Sequence, residues 1–283
     1  MTGLGRLGAE DPSMLSRRPA RVRLLAVDLD GTLITVDLKL DPRDVDAVRR
    51  AEAAGVRVVA CTGRPFPGAL PWVRRLGLES PLICYQGAQV RTPDGGMLLD
   101  HGVPHDLAME VVRFCRERDL HVQAYRDDEL IVERDRPEAE AYAHHAGMEV
   151  HVVGDLDAAM DATTPKVVIV AEPDVVEQTL PEVRERWAGR LYVATSLPTY
   201  IEITNPNADK RQALEWLCDR FGIAHSETAA VGDGRNDQPM IEWAGLGFAV
   251  EGAPPEVVTA AGGRTVGRPG TGGIAHLVEE LIG

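Results

Sequence analysis

The feature that most constrains this chain is a pattern repeated near both of its ends. A short apolar run stops at a polar residue, and a helical stretch follows. Arg21-Val22-Arg23-Leu24-Leu25-Ala26-Val27 stops at Asp28, and Val56-Arg57-Val58-Val59-Ala60 leads into Thr62-Gly63-Arg64-Pro65. Leu82-Ile83-Cys84-Tyr85 leads into Gln86, and residues 228–231 lead into Gly232-Asp233. Runs this short and apolar suit strands buried on both faces of a parallel sheet. Between them, Asp41-Pro42 reads as an N-cap followed by proline at the first helical position, and Gly55 as the residue that closes the helix. A second helix carries Trp72 and Leu76 and ends near Gly77. This βαβαβ order predicts a doubly wound α/β sheet.

The texture changes after Tyr85. A hairpin is expected over 87–99, around Thr92-Pro93-Asp94-Gly95-Gly96. Helices are expected near 107–118, 138–146 and 175–187. Strands are expected near 121–125, 130–133, 166–171, 191–195 and 200–203. From Asp209 the first pattern resumes, with a helix over 210–221, strands over 228–231 and 246–250, a helix through Trp243 and a last helix over 274–282. The simplest architecture is a parallel-sheet core made from 21–86 and 198–283, with an α+β insert at 87–197. At 283 residues the chain is long enough for two such units. Residues 1–20 hold Gly, Arg and Pro without an apolar segment, so they read as a loose leader and not as a secretory signal.

Composition narrows the partners. There are 30 basic and 44 acidic residues, a formal net charge of -14, so a nucleic-acid footprint is not expected. The same field repels an anionic substrate, and local cations must overcome it. No run of about 20 apolar residues is present, so no membrane span is expected. Cys61, Cys84, Cys115 and Cys218 show no CxxC spacing. That argues against a zinc knuckle or a thioredoxin-type pair and suits a reducing cytoplasm.

Four segments carry chemistry, each after an expected strand or at a helix start. Asp28-Leu29-Asp30-Gly31-Thr32 puts two carboxylates at the end of a strand, where ligands bind in open α/β sheets. The first can attack phosphorus, and the second can protonate a leaving oxygen and later activate water. Gly31 lets backbone N–H groups approach a phosphate. Gly232-Asp233-x-x-Asn236-Asp237 offers hard oxygen ligands of the kind Mg2+ takes. Thr62 and Gly63 can hold phosphoryl oxygens, and Lys210 can neutralise their charge. Singly, each has an ordinary structural reading: an acidic loop, a Gly/Asp/Asn turn, a helix N-cap, a solvated lysine. Together, and in this order, they supply a nucleophile, an acid–base group, a metal carboxylate, a hydroxyl and a cation.

With these motifs the chain resembles the phosphatases of the haloacid dehalogenase (HAD) superfamily. The insert is similar to the C2B cap of the Cof-type subfamily. The resemblance runs from about Arg21 to Gly283. It implies a Rossmann-like core, a cap that closes over a small phosphorylated metabolite, and Mg2+ as cofactor. It implies Asp28 as nucleophile, Asp30 as general acid–base, and Thr62 and Lys210 as phosphoryl-binding groups. Asp28, the Asp30 carbonyl and Asp233 would bind the metal, with Asp237 and Asn236 supporting its waters and Lys210. Gly31, Gly63, Arg64, Gln86 and Asn236 are candidate phosphate- or substrate-binding residues. The chain departs from the family in two places. Gln86-Gly87-Ala88 stands where Asn-Gly-Ala is common, and Lys210-Arg211 where Lys-Gly is common.

The leading reading is phosphomonoester hydrolysis through an aspartyl-phosphate, with sugar phosphates the first candidates and flavin or pyridoxal phosphates behind. A phosphosugar mutase on the same fold and a phospho-aspartate signalling protein are the alternatives. A bare receiver domain is smaller and lacks an acid–base partner two residues after the phosphoacceptor. The pairs His101/His105 and His144/His145 lack an accompanying carboxylate cluster, and Pro104 argues against a helix presenting the first. Trp72 and Trp216 read as packing groups. The sequence sets no oligomeric state.

Overall fold

In the computed structural model, residues 21–160, 163–195 and 197–283 are described. The expected leader, 1–20, lies outside them. Five parallel strands form one sheet, in the order Thr265–Val266, Leu246–Val250, Thr228–Gly232, Leu24–Val27, Arg57–Ala60. Sequence-distant segments therefore meet at its centre, where Leu24 pairs with Thr228 and Val27 with Val231.

Side chains alternate along a strand, and this decides what covers each face. Leu25, Val27 and Val58 pack with Ala47, Val48 and Ala51 of the helix Pro42–Ala53 and with Ile274, Leu277 and Val278 of the helix Gly273–Ile282. Leu24, Ala26 and Val59 pack with Ala213, Leu214 and Leu217 of the helix Lys210–Phe221. Each fully buried aliphatic side chain contributes roughly 1.5–3 kcal/mol, so helices on both faces are the stable arrangement. Asp41 caps its helix as expected, its Oδ1 accepting from the Arg43 N–H at 2.9 Å. Asp44 is fully buried, and its Oδ1 accepts from the Ala275 N–H at 2.9 Å. That bond satisfies a first-turn donor of the last helix and ties the two helices together.

The expected third parallel strand is different in kind. Leu82–Cys84 touches the parallel sheet through one bridge, Cys61 to Ile83. It pairs antiparallel with Gln89–Arg91, which pairs with Met97–Asp100. Tyr85 does not extend the strand. It opens a tight turn, Tyr85–Gly87, in which Tyr85 and Gln86 have φ of 52° and 61°. Left-handed backbone is uncommon for residues of this size and marks a position fixed by its surroundings.

The middle of the chain forms a six-stranded mixed sheet, in the order Tyr192–Ala194, Tyr200–Thr204, Val167–Val170, His121–Arg126, Glu129–Val132, Val150–Val152. Val167, Ile169, Ile201 and Ile203 face the helices His105–Glu117 and Pro173–Arg186. Val168, Val170, Tyr200 and Tyr125 join the apolar cluster that contains Val27, Phe66 and Tyr142.

Two segments lie beside the expected limits at 86/87 and 197/198. Val90 of the hairpin packs with Leu24 and Ala26 of the parallel sheet. Tyr200–Thr204 is hydrogen-bonded inside the six-stranded sheet, between Tyr192–Ala194 and Val167–Val170. Several short elements escaped the sequence pattern: the strands Val103–Pro104, Val150–Val152 and Thr265–Val266 and the helices Leu156–Ala159 and Pro255–Ala260. They are two to six residues long, and Val150–Val152 lies largely exposed, so none leaves a periodic apolar signal. Pro104 does not break a helix; it precedes His105–Glu117 as its N-cap residue.

All four cysteines are buried and free. Burial pushes the Cys115 and Cys218 thiols up to about 12, which makes them poor nucleophiles. No helix among the described residues is long and apolar enough to cross a membrane.

Candidate active site

The chemistry-bearing segments converge where the parallel strands end. Asp28 follows Leu24–Val27 directly, its N–H donating to the Val231 carbonyl at 3.0 Å. Asp233 follows Thr228–Gly232, and Lys210 is the first residue of its helix. Asp209 caps that helix, its Oδ1 accepting from the Gln212 N–H at 2.8 Å. The cap sets the angle at which Lys210 enters the site. The Lys210 ammonium, 1% exposed, donates to Asp28 Oδ1 and to Asp237 Oδ1, both at 2.6 Å.

Asp28, Asp233 and Asp237 each place a carboxylate oxygen within 4.8 Å of the others. Burial pushes the Asp28 carboxyl well up, against the pull of Lys210 and with added repulsion from Asp237 and Asp233. Burial, then Asp237, pushes Asp233 up to about 6. Burial opposes charge on Lys210 too, but Asp237 and Asp28 overcome it and hold the ammonium well above the ordinary lysine range. One lysine thus faces three carboxylates, and the cluster carries surplus negative charge. Surplus charge on hard oxygen donors is what a small divalent cation fits.

Asp237 is taken up by contacts within the protein. Its Oδ1 accepts from Lys210, and its Oδ2 accepts from the N–H groups of Asp233 at 3.2 Å and Gly234 at 2.9 Å. Its oxygens are engaged in shaping the Asp233 loop and holding Lys210. Thr32 donates to Asp233 Oδ1 at 3.3 Å. Gly31 has φ of 78°, and a Cβ there would overlap the Asp233 carboxylate. Only glycine lets the two loops close on each other.

Thr62 is fully buried and its Oγ1 accepts from the Arg64 N–H at 3.0 Å. This local turn contact leaves the hydroxyl proton free to donate. The Thr62 carbonyl accepts from the Gln86 N–H at 3.1 Å, and the Arg64 carbonyl from the Tyr85 N–H at 3.0 Å. These bonds hold the left-handed turn against the loop. Gln86 lies over Gly63, and its Oε1 accepts from Asn236 Nδ2 at 2.9 Å. The long amide at 86 thereby bridges the loops that carry Gly63 and Asn236. Gly87 abuts the backbone of Asp209, where a Cβ would overlap its carbonyl.

Asp30 is held differently from the other acids. Both of its oxygens accept from Arg64, from Nε at 2.7 Å and Nη2 at 2.6 Å. The bidentate pair ties the Asp30 loop to the Arg64 loop.

These groups border a cavity of about 270 Å³. Asp28, Asp30, Arg64, Gln86, Asp233, Asn236 and Asp237 line one side, and Tyr142, Ala146, Lys166, Tyr200 and Glu202 of the middle segment line the other. The histidines stay outside: among the described residues, the carboxylates of Asp28, Asp233 and Asp237 form the metal-capable group. His105 instead lies 3.3 Å from Asp157 Oδ1. His144 is exposed, and the side chain of His145 is not described.

A family profile described as haloacid dehalogenase-like hydrolase matches residues 25–278. The chain belongs to that family. A haloacid dehalogenase-like hydrolase from Bacteroides thetaiotaomicron superposes with a TM-score of 0.85 at 25% identity, covering 92% of this chain and 99% of its own. TM0651 from Thermotoga maritima superposes at 0.84 with 29% identity, covering 92% and 97%. An HMP-PP phosphatase from Serratia proteamaculans is 27% identical over 235 residues, 83% of this chain and 86% of its own. The chain is thus a HAD phosphatase with a Rossmann-like core. Within this HAD phosphatase, sequence reasoning quoted Thr32 without giving it a role, and passed over the Asp209 cap and the cavity wall at Tyr142, Lys166, Tyr200 and Glu202. Glu202 had a signal: one charged residue inside the apolar strand Tyr-Ile-Glu-Ile-Thr.

Proposed function

We propose that this phosphatase is a magnesium-dependent phosphomonoester hydrolase that works on a small phosphorylated metabolite, a sugar phosphate foremost, through an aspartyl-phosphate on Asp28. The observation that carries the reading is the bridging of Asp28 and Asp237 by one buried lysine, beside Asp233 and an open cavity. A relative named HMP-PP phosphatase supports a small phosphorylated substrate. Buried free thiols suit a cytoplasmic enzyme.

In this reading the Asp28 carboxylate attacks phosphorus from the strand end. Lys210 orients that carboxylate and balances charge on the phosphoryl oxygens. The Thr62 hydroxyl and the N–H groups around Gly31 and Gly63 hold the remaining oxygens. Asp30 gives a proton to the leaving oxygen and then takes one from the water that cleaves the intermediate. The middle segment acts as a cap over the cavity and excludes bulk water. Asp28 and Asp233 carboxylates would hold Mg2+, with the Asp30 carbonyl as a further ligand, while Asp237 braces both Asp233 and Lys210. When bound there, the cation would screen the phosphate from the attacking carboxylate.

Chelator should lower phosphate release by about 100-fold or more, and added Mg2+ should restore it. Mg2+ should also raise the unfolding temperature of the free enzyme, because the carboxylates converge only in the folded chain. The Asp233→Asn variant should lose most of both responses. Full turnover after exhaustive chelation would refute the metal assignment.

A further inference from the structure

Two charged groups in the cavity wall have no part in the steps above. Lys166 is 2% exposed and Glu202 8% exposed, and Lys166 Nζ donates to Glu202 Oε1 at 2.7 Å. A buried ion pair is weak support for a fold, since well-packed apolar residues serve as well or better. Its placement has another logic. Val168 pairs with Glu202, and alternation puts Lys166, Val168 and Glu202 on one face of the six-stranded sheet. The opposite face, with Val167 and Ile203, lies under the helices. The charged face lines the same cavity as Asp28.

We propose that the Lys166–Glu202 pair selects a neutral, polyhydroxylated leaving group by hydrogen bonding to its hydroxyls. The proposal rests on the reading of the site as a phosphomonoester hydrolase. A hydroxyl both gives and takes a hydrogen bond, so neighbouring hydroxyls can accept from the ammonium and donate to the carboxylate. Lys166 has three protons and is engaged by Glu202 and by Tyr142, which leaves it one further donor, and a carboxylate has about four lone-pair sites. Tyr142 and Tyr200 line the cavity, their rings packed edge-to-face with centroids 5.0 Å apart, and give aromatic surface for the C–H groups of a ring. Charge argues against a second anionic group. Among the described lining residues the cations Arg64 and Lys166 already face carboxylates, at 2.6 and 2.7 Å. A second phosphate would meet Asp30 and Glu202 without an unmatched cation. An apolar leaving group would strand the pair.

The test compares kcat/KM for p-nitrophenyl phosphate, aldose monophosphates, their deoxy analogues, a hexose bisphosphate and HMP-PP. The aldose monophosphates should lead, and removal of a contacted hydroxyl should cost about 10–100-fold. The double variant Lys166→Met with Glu202→Leu removes both charges together, so neither is left buried alone. In it the ratio of sugar-phosphate to aryl-phosphate kcat/KM should fall by at least about 30-fold, mainly through KM. Glu202→Gln gives the same readout should the double variant not fold. An unchanged ratio in a folded variant would make the pair structural and overturn the proposal, as would preference for the bisphosphate or HMP-PP. No release from any phosphomonoester by the unaltered enzyme would instead strike the hydrolase reading itself.

Discussion

Replacing Asp28 by asparagine should cut phosphate release by about ten-thousand-fold or more while leaving the fold standing. The amide keeps the shape of the carboxyl but cannot attack phosphorus. Its stability consequence runs opposite to its effect on activity. Asp28 is buried among Asp233 and Asp237, and burial already disfavours its charge. In the variant Lys210 keeps Asp237 at 2.6 Å, so no cation is left alone. Thermal unfolding should therefore match or exceed that of the parent. Turnover near the parental rate would remove Asp28 from the mechanism, whereas loss of activity together with loss of the fold would leave it a structural residue.

Replacing Lys210 by methionine should do the reverse, damaging stability as well as rate. The ammonium is the shared partner of two buried carboxylates. Removing one side of a buried pair typically costs about 3–5 kcal/mol, because the opposite charge stays buried without compensation. Asp237 also holds the N–H groups of Asp233 and Gly234, so its displacement would loosen the loop that carries Asp233. Activity should fall by about a thousand-fold, the scale for losing a cation that stabilises phosphoryl transfer. Protonation relieves an unpaired carboxylate, and the Asp28 carboxyl is already pushed up by burial. Its folded value therefore lies above its unfolded one, and the variant's deficit should shrink as pH falls toward acid conditions and grow as pH rises. Denaturant midpoints across pH would show this. A midpoint equal to the parent at neutral pH would mean that the buried pair contributes nothing.

The parallel strands were readable because burial on both faces leaves an uninterrupted apolar run, as at Leu24–Val27, and because a reactive residue follows each run. Asp28 and Asp233 each follow the end of a strand, and Lys210 opens a helix. The partners of Asp30 and Arg64 were not readable. They lie 34 residues apart, and their bidentate contact depends on how two loops face each other. Nor were the bonds from the Asp233 and Gly234 N–H groups to Asp237, which depend on how that loop folds back on itself. Gln86 was seen as a departure, but its left-handed backbone and its bond to Asn236 follow from the tight turn at 85–87. Tyr200–Thr204, apolar on both sides of Glu202, looks the same in sequence whichever sheet receives it.

The most direct test is to quench the enzyme in acid during its first turnovers with Mg2+ and a phosphomonoester, then map the peptides by mass. The mechanism predicts one added phosphoryl group, on the peptide containing Asp28 and absent from the Asp28→Asn variant. A phosphoryl group on another residue, or steady turnover with none on the chain at any time, would contradict it.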